Sequence, residues 1–333
     1  MEKKFNRRKM LGGTVGAVGL AGGASLLGAP VPSADRSVPA AHEAGVMSTA
    51  GEVDLTRFDP SLFLEHFDYG QVSELPSGQT LREWEIVAVD QEIEIAPGVY
   101  FPAWTYNGQV PGPTLRCTEG DRLRVHFANG GSHAHTIHFH GFHPAEMDGV
   151  FEVVMPGDEF IYEFDAEPFG LHLYHCHSVP LKRHIHKGLY GAFIVDPREP
   201  RSEVREMVMV MNGFDTNFDG DNEVYAVNTV AFHFQRHPIQ IKLEERVRIY
   251  LVNLLEFDLL NSLHVHGHLF DVFRTGTRLA SDEFTDTIML CQGERHILEM
   301  QFRRPGKFMF HAHQSEFAEL GWMGFFEVGS STP

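Results

Sequence analysis

The sequence predicts an all-β protein made of two β-sandwiches. Three observations point there. Short strand-like stretches alternate with turns along most of the chain. No long amphipathic helix interrupts them. The second half of the series repeats the signatures of the first. The composition, 43% hydrophobic and 22% charged over 333 residues, is that of a globular protein long enough for a leader and two ordinary domains.

The strand signals start after an irregular segment, residues 35–78, whose part to about 51 is rich in Ala, Gly and Ser. The first series holds Arg82–Val89, Arg122–Phe127, Glu159–Phe164 and Gly191–Val195, with apolar and polar residues alternating as half-buried strands require. Asp196-Pro-Arg-Glu-Pro200 reads as a linker. The second series holds Glu206–Val210, Arg246–Val252, Leu269–Phe273, His296–Phe302 and Gly324–Val328. The domains are therefore set at 79–198 and 199–330.

Residues 1–34 read as an export signal and not as a fold element. A basic start (Lys3, Lys4, Arg7, Arg8, Lys9) precedes a weakly apolar, glycine-rich run, Leu11–Leu27, and a small-residue segment follows. Arg7-Arg8 followed by Lys-Met-Leu resembles a twin-arginine signal, a route that carries folded proteins. Nothing else in the sequence reads as a membrane span, so the expected location is periplasmic or extracellular. The formal charge is −18, and near −22 without the leader, which disfavours nucleic acid as a partner and suits neutral or cationic ones.

Histidine is the outlier. Its 21 residues include four His-x-His pairs: His138/His140, His175/His177, His264/His266 and His311/His313. On extended backbone, residues two apart share a face, so each pair can aim two imidazoles at one place. Eight imidazoles exceed the needs of one ion and match three coppers. The halves carry the pairs in the same order: His-x-His-Gly first, then an aromatic residue and His-x-His, then a glycine-led strand ending in phenylalanine. A duplicated module explains this.

Cys176 lies between His175 and His177, so its sulfur faces the other way and calls for a second metal site behind the strand. Thiolate with two imidazoles suits a blue copper. His135, three residues before His138, points to the cysteine side. His184 is taken as the second imidazole, with His186 as the competing candidate. Leu189 takes the axial position, which leaves a three-coordinate copper of raised potential. Cys117 and Cys291 read as buried apolar fillers; a disulfide between them is the alternative. Asp215–Glu223 resembles the start of a calcium loop, but position twelve is Ala226, which favours a solvated acidic loop.

From about Trp104 to Val328 the chain resembles the multicopper oxidases, in particular the two-domain, laccase-like branch related to copper nitrite reductases. The resemblance rests on Tyr106–Arg116, Glu119–Asp121, His135–Gly141, Tyr174–His177, Leu263–His268 and Phe310–His313. It implies two cupredoxin-like Greek-key domains and four coppers per chain. By that resemblance His138 and His264 bind the type 2 copper. His140, His175, His177, His266, His311 and His313 bind the type 3 pair. Asp148 and Glu316 are the candidate proton relays. Ala312, Asn261 and Phe317 stand where a second blue copper would need its cysteine and histidines, so only domain 1 holds a type 1 copper. The branch implies a homotrimer with the three-copper cluster between subunits, a small reductant (phenolic by default) and O2 as acceptor. Metal-ion oxidation, nitrite reduction and simple electron carriage are the rival readings. His138 argues against the reductase, because it stands where that enzyme's catalytic acid is expected.

Overall fold

The computed structural model describes residues 51–329. The export signal read at 1–34 lies outside them. Among the described residues no helix is long and apolar enough to cross a membrane.

The alternating stretches form strands, and no strand of one half joins a sheet of the other. In the first half, Thr80–Ala96 pairs in parallel with Arg122–Asn129, which pairs antiparallel with Glu159–Asp165. The facing sheet runs Leu115–Thr118, Tyr190–Asp196, Gly170–His175, His138–Phe139. The second half repeats this order and these directions. Arg205–Phe214 is parallel to Arg246–Asn253, which is antiparallel to Arg295–Gln301. Its facing sheet runs Ile239–Ile241, Met323–Val328, Gly306–His311, Leu260–Val265, Thr287–Cys291. The two-sandwich, all-β expectation holds, and the repeat read in the histidine pairs extends to the central strands of both sheets, to which the second half adds Phe270–Arg274, Glu283–Thr285 and Thr287–Cys291.

Two differences qualify the sequence reading. The segment 35–78 includes a short helix, Pro60–Phe63, and a strand, Gln71–Glu74, that pairs with the start of Thr80–Ala96. That strand is exposed along its length, so it carries no apolar alternation to read. Cys117 is buried, but Cys291 is exposed at the end of its strand, and both are free thiols. The apolar-filler reading therefore fails for Cys291.

Each sandwich has its own core, and a third core joins them. Leu171, Leu173, Ala192 and Ile194 of the first half pack against Val208, Val210, Tyr250 and Ile297 of the second. At about 1.5–3 kcal/mol per buried apolar side chain, this layer fixes the first histidine-bearing sheet against its neighbour. Arg116 adds a polar tie. Its guanidinium bonds Asp196 at 2.8 and 3.0 Å and Glu206 at 2.6 and 3.2 Å, across the turn between the halves.

Candidate metal centres

Along Tyr174–His177, Tyr174 and Cys176 point into the sandwich core, while the rings of His175 and His177 lie on the other side against His138. The alternation outlasts the strand, which ends at His175. Extended backbone alone sustains it.

Behind the strand, Cys176 Sγ lies 3.2 Å from His184 Nδ1 and 4.0 Å from His135 Nδ1, and the two nitrogens are 3.2 Å apart. A point about 2 Å from all three atoms lies at the centre of that triangle, which is the bond length a first-row metal wants from imidazole. All three residues are buried. Burial pushes both imidazoles down to about 4, which keeps them neutral with their lone pairs free. Burial pushes the Cys176 thiol up, and a bound cation would reverse that by deprotonating it. The Thr136 N–H donates to the sulfur at 3.4 Å. Leu189 is fully buried in the same cluster as Cys176, and its carbonyl accepts the Cys176 N–H at 3.0 Å.

His184 and His186 share the helix Leu181–His186 but point apart. His186 Nε2 accepts the Asp215 N–H at 3.0 Å, and its ring packs on Phe101 and Phe257. Nor does His184 offer an open edge. It is 3% exposed, with Trp104 packed on it at 4.8 Å. Arg183 and His133 in turn cover Trp104, at 5.1 and 4.4 Å.

The other imidazoles gather as two matching tetrads. In the first, the ring of His138 lies 5.1, 5.2 and 5.4 Å from those of His140, His175 and His177. In the second, His264 lies 5.0, 5.5 and 5.5 Å from His266, His311 and His313. The cause is register: His138 pairs with His175 across its sheet, and His264 pairs with His311 across its own. Nε2 atoms of His140 and His175 stand 3.3 Å apart, those of His266 and His311 3.0 Å apart, close to the spacing of two ligands on one tetrahedral ion. Backbone carbonyls fix the tautomers. His138 Nδ1–H donates to Asp148 O, His175 to Cys176 O, His264 to Asp286 O and His311 to Ala312 O, at 2.7–2.9 Å. Each Nε2 is thereby left to bind a metal. Burial lowers His140 and His175 as well, so they too stay neutral. Among the described residues, no ring contact joins the two tetrads within the chain.

The second half keeps the fold of the cysteine site without its donors. Ala312 is fully buried, and its N–H donates to Trp322 O, as Cys176 does to Leu189 O. The N–H of Trp322 donates to Phe317 O, as that of Leu189 does to His184 O. Phe317 stacks on Tyr225 at 4.2 Å, and Asn261 is fully buried. A methyl, a phenyl ring and an amide stand where the first half has its thiol and two imidazoles.

Asp148 sits beside the first tetrad, its carboxylate 3.2 Å from His138 Nδ1 and 3.6 Å from His143 Nε2. Its structural counterpart is Asp286, whose carboxylate is 3.9 Å from His264 Nδ1. Sequence reasoning missed Asp286 because it follows its histidine by 22 residues, whereas Asp148 follows by 10. Glu316 is exposed on the helix Ser315–Glu319, and among the described residues no hydrogen bond or ion pair brings it to a histidine. Asp215, Asp219 and Glu223 draw together, but their oxygens accept N–H groups of their own loop.

The donor sets and their spacing fit copper: a thiolate with two imidazoles at one centre, imidazoles alone at the tetrads. The comparisons with known proteins agree. Residues 88–200 and 203–332 each match a family model described as multicopper oxidase. A crystal structure of a multicopper oxidase is 57% identical, with a TM-score of 0.82 over 84% of this chain and 100% of that one. The blue copper oxidase from Nitrosomonas europaea is 28% identical, with a TM-score of 0.68 over 74% of this chain and 86% of that one. The copper-containing nitrite reductase of Neisseria gonorrhoeae is 30% identical over 68% of this chain, which spans 62% of that protein's length. Two family domains covering most of the chain, on a duplicated fold that gathers copper donors, establish that this protein belongs to the multicopper oxidase family.

Proposed function

We propose that the protein is an exported, laccase-like oxidase that takes single electrons from a small reductant, phenolic or similar, and passes four of them to O2 to give water. Oxidation of metal ions by the same centres is the alternative substrate class. Bound copper would supply the redox chemistry, one-electron at the thiolate site and multi-electron at the cluster.

The chain's part is to hold and connect. His135, Cys176 and His184 would hold a type 1 copper, with Leu189 buried in the same cluster as the cysteine. His138 and His264 would hold the type 2 copper. His140, His175, His177, His266, His311 and His313 would hold the type 3 pair. Cys176 is bonded through the backbone to His175 and His177, so three adjacent residues connect the two centres. Asp148 and Asp286, each beside a type 2 histidine, are placed to hold protons there. Glu316 has no such contact, and Asp286 replaces it in this role.

The observation that carries the reading is the pair of matching tetrads. Each presets two Nε2 atoms for one ion and leaves further imidazoles unused. Among the described residues they make no contact within one chain, which supports reading each as half of a site that a second copy completes. Exposed apolar side chains lie close in sequence to the residues of both: Phe142, Phe151 and Met155 after His140, and Leu259, Phe284 and Met289 before His264 or around Asp286. Contacts between two different surfaces form a ring when the rotation closes, and the resemblance to the two-domain branch makes that ring a homotrimer. The Arg7-Arg8 leader supports export.

Kinship with copper-containing nitrite reductase favours a second reading, nitrite reduction at a single catalytic copper. The two extra imidazoles of each tetrad, which that chemistry does not need, favour the oxidase. Metal analysis and oxygen uptake decide. The oxidase reading expects four coppers per chain, an antiferromagnetically coupled pair, and one O2 consumed for every four electrons from a phenol. Two coppers per chain with nitrite turnover would replace it. Ferrous, manganous and cuprous ions beside the phenols would separate the substrate classes.

A further inference from the structure

A cavity of about 670 Å³ opens between the helix Leu181–His186 and the loop at 215–220. Its walls include Pro102, Pro180, Phe218 and Phe257. Lys187 lines it and is only 7% exposed, with its ammonium 4.9 Å from the ring centres of both Phe101 and Phe218. A buried lysine is ordinarily paired with a carboxylate. Among the described residues, no carboxylate lies within 4.0 Å of this one, and its ammonium makes no hydrogen bond. Two more cations line the cavity at its exposed rim, likewise without an ion pair among the described residues. Lys182 lies over Phe257 at 4.1 Å, and Arg183 lies over Trp104. Three basic side chains without an ion pair thus face one cavity, and one of them, Lys187, is buried.

Asp90 acts on Lys187 and Glu256 on Lys182 through space, but among the described residues no acid stands within 4.0 Å of either ammonium. Asp215 accepts the N–H groups of Asp219 and Gly220 at 3.1 and 2.8 Å, and Asp219 accepts that of Asp221 at 3.0 Å. Both residues line the cavity, with both Asp215 oxygens and one Asp219 oxygen engaged by the loop's own N–H groups. What the cavity lacks is an anion that brings an apolar, flat body with it. The cavity also adjoins the thiolate site. Trp104, 5.9 Å from the Lys187 ammonium, packs on His184 at 4.8 Å and on His135 at 5.3 Å.

We propose that this cavity binds anionic aromatic electron donors, phenols that carry a carboxylate, with the carboxylate on the Lys187 ammonium and the ring between Phe218 and Phe257. The donor role rests on the oxidase reading given above; the binding does not. In that role the phenol loses one electron toward the thiolate site and its phenolic proton to water.

The test separates binding from turnover. Benzoate, which has no phenol to oxidise, is titrated calorimetrically into the copper-loaded protein beside benzamide. Benzoate should bind at least about tenfold more tightly. Lys187→Met should remove the preference, and Lys182→Gln, at the rim, should reduce it if the first variant does not fold. Syringate and methyl syringate are then compared as donors, and the acid-to-ester ratio of kcat/KM should fall about tenfold in Lys187→Met. Equal binding of benzoate and benzamide, or a preference that survives both substitutions, overturns the inference, and oxygen uptake with the ester would leave the oxidase reading standing. Benzoate binding that depends on Lys187 in a protein that consumes no oxygen would support the site and sink the oxidase reading instead.

Discussion

Gly191→Ala should be among the most damaging single-methyl changes in the protein. Gly191 faces Tyr174 across two antiparallel strands. A Cβ there would lie 2.4 Å from the Tyr174 hydroxyl, 2.5 Å from Cζ and 2.6 Å from Cε1. The tyrosine cannot swing aside. It is fully buried, and its hydroxyl donates to the Pro113 carbonyl at 2.7 Å. Overpacking of this kind costs about 1–3 kcal/mol, and loss of the hydrogen bond leaves a buried carbonyl unpaired for about 1–3 more. The expected loss is about 3–5 kcal/mol, or about 4–7 °C in Tm for a chain of this size. Tyr174 adjoins His175 and Cys176, so the visible spectrum of the copper-loaded variant should shift as well. Thermal unfolding and absorption read both effects. Tyr174→Leu should rescue part of the loss, with a coupling above about 1 kcal/mol. A loss below about 1 kcal/mol, or strict additivity with Tyr174→Leu, would refute the reasoning.

Cys176→Ser should abolish the intense visible absorption of a thiolate–copper site and nearly all turnover, while copper bound at the tetrads is retained; an intensely blue, active variant would break the proposed connection. Arg116→Ala should cost about 3 kcal/mol, the low end for breaking a buried ion pair, because Glu206 keeps its bonds to Arg248 and Tyr250 and Asp196 can rehydrate. Burial raises the Glu206 carboxyl, but the hydrogen bond from Arg116 leads the effects that hold it below its ordinary 4.5. That contribution is present above about pH 4.5 and is lost as pH falls, so denaturant unfolding of Arg116→Ala should show a shallower acid limb than the parent. In the metal-free protein, burial holds His135, His172, His175 and His184 at about 4, against an ordinary 6.5. The unfolded chain takes up protons there and the folded one does not, so stability should rise from about pH 4 to about pH 6.5. A flat profile in urea unfolding would contradict those buried neutral imidazoles.

Much of this was legible in the sequence because period two is a local property. The four His-x-His pairs announce shared faces, and Cys176 between two histidines announces a second site behind them. The aromatic residue before the second pair in each half, and the glycine that opens the next strand, are one feature seen twice. Tyr174 lies over Gly191, and Phe310 lies over Gly324. What the sequence hid depends on distant packing. Asp286 reaches His264 from an adjacent strand at a spacing unlike that of Asp148. Trp322 occupies the place of Leu189, and only the matching backbone bonds of Ala312 and Cys176 show it. Trp104 covers His184 from a strand some eighty residues earlier in the chain, which no motif encodes.

The claim that the oxygen-reducing site is assembled from two chains can be tested by complementation. His140→Ala disables the first tetrad and His266→Ala the second, so each variant alone should be inactive. Co-expressed in equal amounts and assembled at random, the two should recover about a quarter of the parent's oxidase activity, because one junction in four pairs an intact first tetrad with an intact second. Lack of any recovery, in mixed assemblies verified to contain both variants, would place both tetrads' work within a single chain and contradict the account.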